Sequence, residues 1–261
     1  MAQRIAIGVD VGGSGIKAAA VNVGSGELAS ERLRVPTPDP STPQAVIASI
    51  GRLVRRVKKM EGVPDDAPIG VGIPTVVLDG VAKLASNIDP AWIDFAVEPA
   101  LTKSLKRSVV VLNDADAAGM AEMRFGAGKG RPGVVLVLTL GTGVGSALFS
   151  DGKLVPNTEF GQMEIRGRPA ERRSAAVART KRGLSWKAWA LDLDEHLDRI
   201  DQLVWPSIVI LGGGVSKRAD KFLSRLTSRV PVTPATLLND AGIVGAALAA
   251  VERGDAAGPR A

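Results

Sequence analysis

The sequence predicts an α/β protein made of two similar halves, and three observations lead there. Short apolar runs of strand length alternate with stretches of helical spacing along most of the chain. A strand that breaks into a glycine-rich turn and resumes as strand occurs near residue 12 and again near residue 142, a repeat expected of a duplicated architecture with two facing domains. The length, 261 residues, also exceeds a typical single domain.

Taken in order, Ile5, Ile7, Val9 and Val11 alternate with smaller or polar residues at the period of a strand, and Ile16 to Val23 form a second run. Between them lie Gly12, Gly13, Ser14 and Gly15. Glycines there permit positive φ and leave backbone N–H groups open to an anionic oxygen. Ser14 adds a hydroxyl donor, and Asp10 at the strand end is placed to hold a hydrated Mg²⁺. An ordinary glycine-rich hairpin explains the same residues. A P-loop does not, because no Lys-Ser/Thr follows the glycines and the next element reads as strand. After the proline-rich connector Arg34 to Pro40, helical spacing runs from Pro43 to Met60, with Ser41 or Thr42 as cap and an apolar stripe that includes Val46, Ile50, Leu53 and Val57. Two buried-type strands follow, Ile69 to Ile73 ending at Pro74-Thr75 and Val109 to Leu112 ending at Asn113-Asp114. Ligands gather at the carboxyl ends of such strands, so Thr75, Asn113 and Asp114 are candidates for one cleft.

The loop Ser86 to Trp92 and helices at Val97 to Lys106 and Ala115 to Gly126 lie around these strands. Val134 to Leu140 then runs into Gly141-Thr142-Gly143, the second glycine turn. A third, Gly212-Gly213-Gly214, follows the strand Ile208 to Leu211, with a helix expected from Lys217 to Leu226. Ser185 to Val204 reads as a helix, and its His196, without a second histidine or cysteine, reads as a surface or boundary residue rather than a ligand. Val230 to Pro234 is an edge strand, Gly242 to Val251 a small-residue helix, and Arg253 to Ala261 a tail expected to fray.

Composition narrows the function classes. Hydrophobic residues make up 45%, so a disordered chain is excluded, and no uncharged apolar run approaches the ~18 residues of a membrane span. Zero cysteines and one histidine leave no disulfide framework, thiol nucleophile or zinc site. No secretory signal is evident at the N-terminus, so a cytoplasmic location is the default expectation. The net charge of +6 invites nucleic acid, but 3% aromatic content and no tyrosine leave few stacking platforms. The charge is concentrated. Arg166, Arg168, Arg172, Arg173, Arg179, Lys181, Arg182 and Lys187 face only one acid between them, Glu171, a local charge of +7. A solvated helix face and a track for a polyanion both fit.

Four segments together resemble the ROK family of sugar kinases, within the actin-like ATPase (ribonuclease H-like) fold: Gly8-Val9-Asp10-Val11-Gly12-Gly13-Ser14-Gly15-Ile16-Lys17, Leu112 to Gly119, Leu138 to Gly145 and Gly212 to Ser216. Asp151 to Glu159, Gly183 to Trp186, Lys217 to Lys221 and Asn239 to Ala247 are most similar to the actinobacterial polyphosphate/ATP glucokinases and glucomannokinases, which lack the cysteine zinc motif of other members. The resemblance implies two α/β domains with a cleft between them, residues 1–112 joined by a C-terminal helix at about 243–252, and residues 113–242. It implies phosphoryl transfer from polyphosphate or ATP to the 6-hydroxyl of glucose or a similar hexose, with Asp114 as general base. Asn87, Asn113, Glu159 and Glu164, with Thr75 and Gln162 at positions that differ, would line the sugar. Asp10, Gly12, Gly13, Ser14, Lys17, Gly141, Thr142, Gly143, Gly213 and Gly214 would serve donor phosphates and nucleotide, with Mg²⁺ at Asp10 through water. The basic residues Arg166 to Arg182 become a candidate polyphosphate track. The implied protein is a homodimer with no nucleic-acid or membrane partner.

The departures fall on the acceptor side. Family members usually carry Gly-His-Leu-Glu where this chain has Gly161-Gln162-Met163-Glu164, Pro-Gly where it has Pro74-Thr75, and, in the close relatives, lysine where it has Pro90. Drift within a glucokinase explains these, as does a modified acceptor such as an amino sugar or a cyclitol. ROK repressors carry an N-terminal winged helix-turn-helix, for which a first strand beginning at residue 4 leaves no room. A catalytically inactive sugar-binding or regulatory protein is a further alternative, disfavoured by the retained Asp10 and Asp114.

Overall fold

A computed structural model describes residues 4–256. Met1 to Gln3 and residues 257–261, the end of the tail expected to fray, lie outside the described residues. The chain forms two compact units, one running to Ala121 and resuming at Asp240, the other spanning Glu122 to Asn239.

The first unit contains β1 (Ile5–Gly12), β2 (Gly15–Asn22), β3 (Glu27–Leu28), β4 (Leu33–Val35), α1 (Pro43–Val57), β5 (Ile69–Ile73), β6 (Val77–Leu78), β7 (Val81–Ala82), α2 (Val97–Leu105), β8 (Val109–Asn113) and the start of α3 (Asp114–Phe125). Its main sheet has the order β3-β2-β1-β5-β8, with β4 also paired to β2. β1 and β2 form the antiparallel hairpin, whereas β1, β5 and β8 are mutually parallel and so end at one edge. Thr42 caps α1, which buries Val46, Ile50, Leu53, Val54 and Val57 against the sheet. That burial, not intrinsic propensity, stabilises a helix of this length.

The second unit contains β9 (Val134–Leu140), β10 (Val144–Ser150), β11 (Lys153–Val155), β12 (Glu164–Ile165), β13 (Arg168–Pro169), α4 (Glu171–Ser174), α5 (Ala176–Lys181), α6 (Trp186–Val204), β14 (Ile208–Gly212) and β15 (Val232–Pro234). Its sheet has the order β11-β10-β9-β14-β15, again an antiparallel hairpin, β9/β10, continued by the parallel strands β14 and β15. The apolar stripe of α6, Trp189, Leu193, Leu197 and Ile200, is buried with Leu136, Leu138, Val209 and Leu211. Phe222 completes that core, stacking on Trp186 and meeting Trp189 edge-on at 5.0 Å between centroids.

The chain then returns to the first unit in α7 (Ala241–Ala256). α7 lies directly on the strands because the facing positions carry no side chain. A Cβ at Gly8 would collide with the Ile243 carbonyl, one at Gly70 with that of Ala246, and one at Gly245 with that of Ala117 in α3.

Three expectations need correction. The units part between Ala121 and Glu122 rather than at 112/113, because α3 grows out of β8 without a linker: Asn113 Oδ1 accepts from the N–H groups of Ala115 and Asp116. The helix expected from Lys217 to Leu226 is instead two 3₁₀ segments, Gly214–Lys221 and Leu223–Arg225, interrupted by non-helical backbone at Arg218. His196 is fully buried, not at the surface.

Candidate active site

The first unit gathers Asp10, Thr75, Asn113 and Asp114 at the carboxyl edge of its parallel strands. Asp10 is paired in register with Gly72, and Ile73 with Asn113. Gly72 leaves room for the β8–α3 junction, since a Cβ there would stand 3.3 Å from the Asp114 Cα. Asp114 opens α3 and is half-buried. Asn113 is 5% exposed; besides capping α3 it donates from Nδ2 to the Thr75 carbonyl at 3.1 Å. Thr75 is 2% exposed. Its hydroxyl accepts from Leu84 N–H and donates to the Leu84 carbonyl, so it ties the 75–84 loop together. Asn87 and Pro90 lie farther along, on an exposed connection anchored where Trp92 Nε1 donates to the Ser41 carbonyl at 2.8 Å.

The first glycine turn joins β1 to β2, with Gly13 and Ser14 exposed at its tip. Neither Gly12 nor Gly15 occupies the left-handed region, contrary to the expectation that positive φ explains them. Gly15 supplies space instead: a Cβ there would fall within 2.7 Å of the Arg34 guanidinium. Arg34 Nη2 donates to the Ser14 carbonyl at 2.9 Å and Thr37 Oγ1 to that of Gly12 at 2.6 Å. Lys17, expected at phosphate, bonds Asp10 across the hairpin at 2.8 Å.

The second unit places its donor-side and acceptor-side candidates around the start of β10. Gly141, Thr142 and Gly143 form the turn before Val144, whose N–H donates to the buried Glu171 carboxylate at 3.1 Å. Gly213 is held at φ +80 with its α-carbon pressed on Leu140, a Cβ there lying 2.5 Å from the Leu140 carbonyl. The third glycine turn therefore packs on the end of β9, from which the second turn starts. A Cβ at Gly161 would in turn collide with the Val144 carbonyl, which brings the short 3₁₀ turn Phe160–Gln162 against the same strand. Glu159 precedes this turn and Gln162 ends it, both half-buried, and Glu164 is exposed on β12.

The basic stretch is only partly a free cationic surface. Arg173 pairs with Asp192 and with Glu195, Arg182 with Asp192, and Arg166 with Glu195, all acids of α6. Arg179 lies over the Trp186 ring at 3.9 Å. Arg168, Arg172 and Lys181 are exposed and point to no such partner among the described residues. Arg34, Thr37, Ser146, Glu171 and His196 are contributors that spacing alone does not reveal, because their partners are backbone groups distant in sequence.

The model of the ROK family matches residues 6–165. The chain belongs to the ROK family. Among ROK relatives, it is 45% identical to the polyphosphate glucokinase of Mycobacterium tuberculosis strain CDC 1551 over 95% of this chain and 92% of that one. Its structure is similar to the crystal structure of the inorganic polyphosphate/ATP-glucomannokinase of Arthrobacter sp. strain KM, with a TM-score of 0.93, 46% identity and coverage of 95% of this chain and 99% of that one. It is also similar to a ROK family glucokinase from Streptomyces griseus in complex with glucose and AMPPNP, with a TM-score of 0.80, 26% identity and coverage of 93% and 98%. This ROK chain has the actin-like ATPase fold with two domains. Among the described residues no helix is long and apolar enough to cross a membrane.

The metal implied by such chemistry can be tested against the donor set. Among the described residues no cluster of three or more His, Cys, Asp or Glu side chains could form a protein cage. Asp10 alone, oriented by Lys17, fits an ion that keeps most of its waters and takes its remaining ligands from donor phosphates, as Mg²⁺ does.

Proposed function

We propose that this chain transfers the terminal phosphoryl group of inorganic polyphosphate or ATP to the 6-hydroxyl of glucose or a similar hexose. The observation that carries the reading is Asp114 at the carboxyl edge that also holds Asp10, in a chain similar along 95% of its length to a polyphosphate glucokinase. The sugar oxygen attacks the terminal phosphorus, forming a new O–P bond as the bridging P–O bond breaks and leaves with ADP or a shortened polyphosphate. Asp114 accepts the hydroxyl proton. Asn113, Asn87, Glu159, Gln162 and Glu164 hold ring hydroxyls through directional bonds. Thr75 acts by fixing its loop. The turns at Gly12, Gly13 and Ser14 and at Gly141, Thr142 and Gly143 offer N–H and hydroxyl donors to phosphate oxygens, and Gly213 and Gly214 lie against the nucleotide. Mg²⁺ bound through Asp10 would neutralise charge on the donor oxygens. Arg168, Arg172 and Lys181 are the part of the basic stretch offered to a long polyphosphate chain. We place the enzyme in the cytoplasm as a homodimer.

The test is a panel of hexoses and modified sugars assayed with ATP and with polyphosphate beside Asp114→Ala. Turnover by the wild type that falls by ~10²–10⁴-fold in the variant is expected; an inactive wild type would leave a sugar-binding or regulatory role. A second reading, a modified acceptor, draws on Gln162, Thr75 and Pro90. It predicts that Gln162→His with Thr75→Gly raises kcat/KM for glucose, and no rise removes its basis.

A further inference from the structure

The one histidine of the chain takes no part in the chemistry proposed above. His196 sits on α6 between buried Leu193, Leu197 and Ile200 and is itself fully buried. Its Nε2 lies 2.9 Å from the Phe160 carbonyl, and its Nδ1 2.9 Å from Ser174 Oγ. A carbonyl only accepts, so Nε2 carries hydrogen and donates. Burial holds the imidazole below its ordinary pKa, against the opposing effect of the Phe160 bond, which leaves Nδ1 without hydrogen; the single hydrogen of the Ser174 hydroxyl is shared between Nδ1 and the Ala170 carbonyl, 3.0 Å from Oγ.

Phe160 lies in the acceptor segment, between Glu159 and Gln162. Ser146 Oγ donates to the Thr158 carbonyl at 2.6 Å and accepts from Phe160 N–H at 3.0 Å. Those are the two peptide groups that flank Glu159. His196 takes the next peptide group, and Gly161 closes the turn against Val144. Three consecutive peptide groups are thus fixed by side chains of β10 and α6, elements of one unit. We propose that His196 is a positioning residue for sugar recognition: its Nε2–H bond to the Phe160 carbonyl sets the backbone that aims Glu159 and Gln162 at the acceptor. This rests on the sugar-kinase reading above.

Glutamine and asparagine separate the two ring nitrogens, the Gln amide reaching the place of Nε2 and the Asn amide that of Nδ1. His196→Gln is expected to keep the KM for glucose within roughly threefold, whereas His196→Asn raises it on the order of tenfold to a hundredfold, the scale of small misplacements at a site. Ser174→Ala, which leaves the Phe160 bond, groups with the Gln variant. The KM for ATP and for polyphosphate stays unchanged in all three, measured below the unfolding temperature of each. Equal glucose KM in the Asn and Gln variants, or a parallel rise in donor KM, overturns the proposal. The wild type supplies a readout independent of variant folding, because a single histidine gives one set of imidazole ¹⁵N signals. Glucose added without donor is expected to shift the Nε2–H signal, and its failure to do so in a protein that turns over glucose also overturns the proposal. A wild type that phosphorylates no hexose instead rejects the kinase reading, and the proposal with it.

Discussion

The two glycine turns look alike in sequence and are held in different ways. Between β1 and β2 the turn is fixed from outside, by the exposed Arg34 bonding the Ser14 carbonyl and by Thr37 bonding that of Gly12. Between β9 and β10 it is fixed from beneath, by the buried Glu171 on Val144 N–H and by Gly213 pressed on Leu140. An exposed guanidinium contributes little to stability, whereas a buried carboxylate and a glycine in a backbone region closed to other residues sit where each loss is felt in full. The same strand–turn–strand pattern therefore gives a first turn held by one exposed and one half-buried side chain and a second built into its unit's core.

The strongest break in this comparison is Gly213→Ala. Its left-handed φ of +80 and the Leu140 carbonyl 2.5 Å from the new Cβ predict a loss of about 3 kcal/mol or more. Gly141→Ala meets open space without a left-handed φ and should stay within about 1 kcal/mol. Urea unfolding compares the two, and a larger loss at Gly141 would reverse the assignment. Next, Glu171→Ala removes the acceptor of a buried N–H and should lower stability by about 2 kcal/mol. Arg34→Ala should cost at most about 1 kcal/mol while raising the KM for both donors, so that thermal melts and donor titrations move for different variants.

A smaller effect separates cations of the fold from cations of the surface. Arg173→Ala strips one partner from Asp192 and one from Glu195 and is expected to cost roughly 1 kcal/mol. The exposed Arg172→Gln should stay within about 0.5 kcal/mol of wild type and raise the KM for polyphosphate more than that for ATP. Equal KM changes for both donors would remove Arg172 from the proposed track. The smallest effect is a pH dependence. His196 has its folded pKa lowered by burial, so the unfolded chain binds the proton first as pH falls. Its contribution to stability is complete above the unfolded pKa of about 6.5 and declines below it. Stability of His196→Gln, measured across that window, should slope less than that of the wild type.

Periodicity made the strands and the long helices legible because their apolar faces are buried within each unit and register alternation or helical spacing records this directly. The carboxyl-edge cluster was legible too, since Thr75, Asn113 and Asp114 end strands that pair in parallel. What could not be read were partnerships with backbone. Nothing near His196 in sequence announces Phe160, 36 residues away, and nothing near Gly15 announces Arg34. The charge of the basic stretch was counted over its own residues, whereas its balancing acids, Asp192 and Glu195, stand on the following helix. The 3₁₀ break after Gly214 depends on Arg218 backbone angles that no side-chain pattern encodes.

The glycine-lined seat of α7 carries a consequence for synthesis. The second unit is continuous in sequence and can complete its core as soon as Asn239 is made. The first cannot. Where Gly8 and Gly70 wait for a helix to lie across them, its sheet stays uncovered until residues 241–256 leave the ribosome. The unit begun first is finished last, and the strand edge that positions Asp10 and Asp114 gains its covering helix only after the other half has had time to fold.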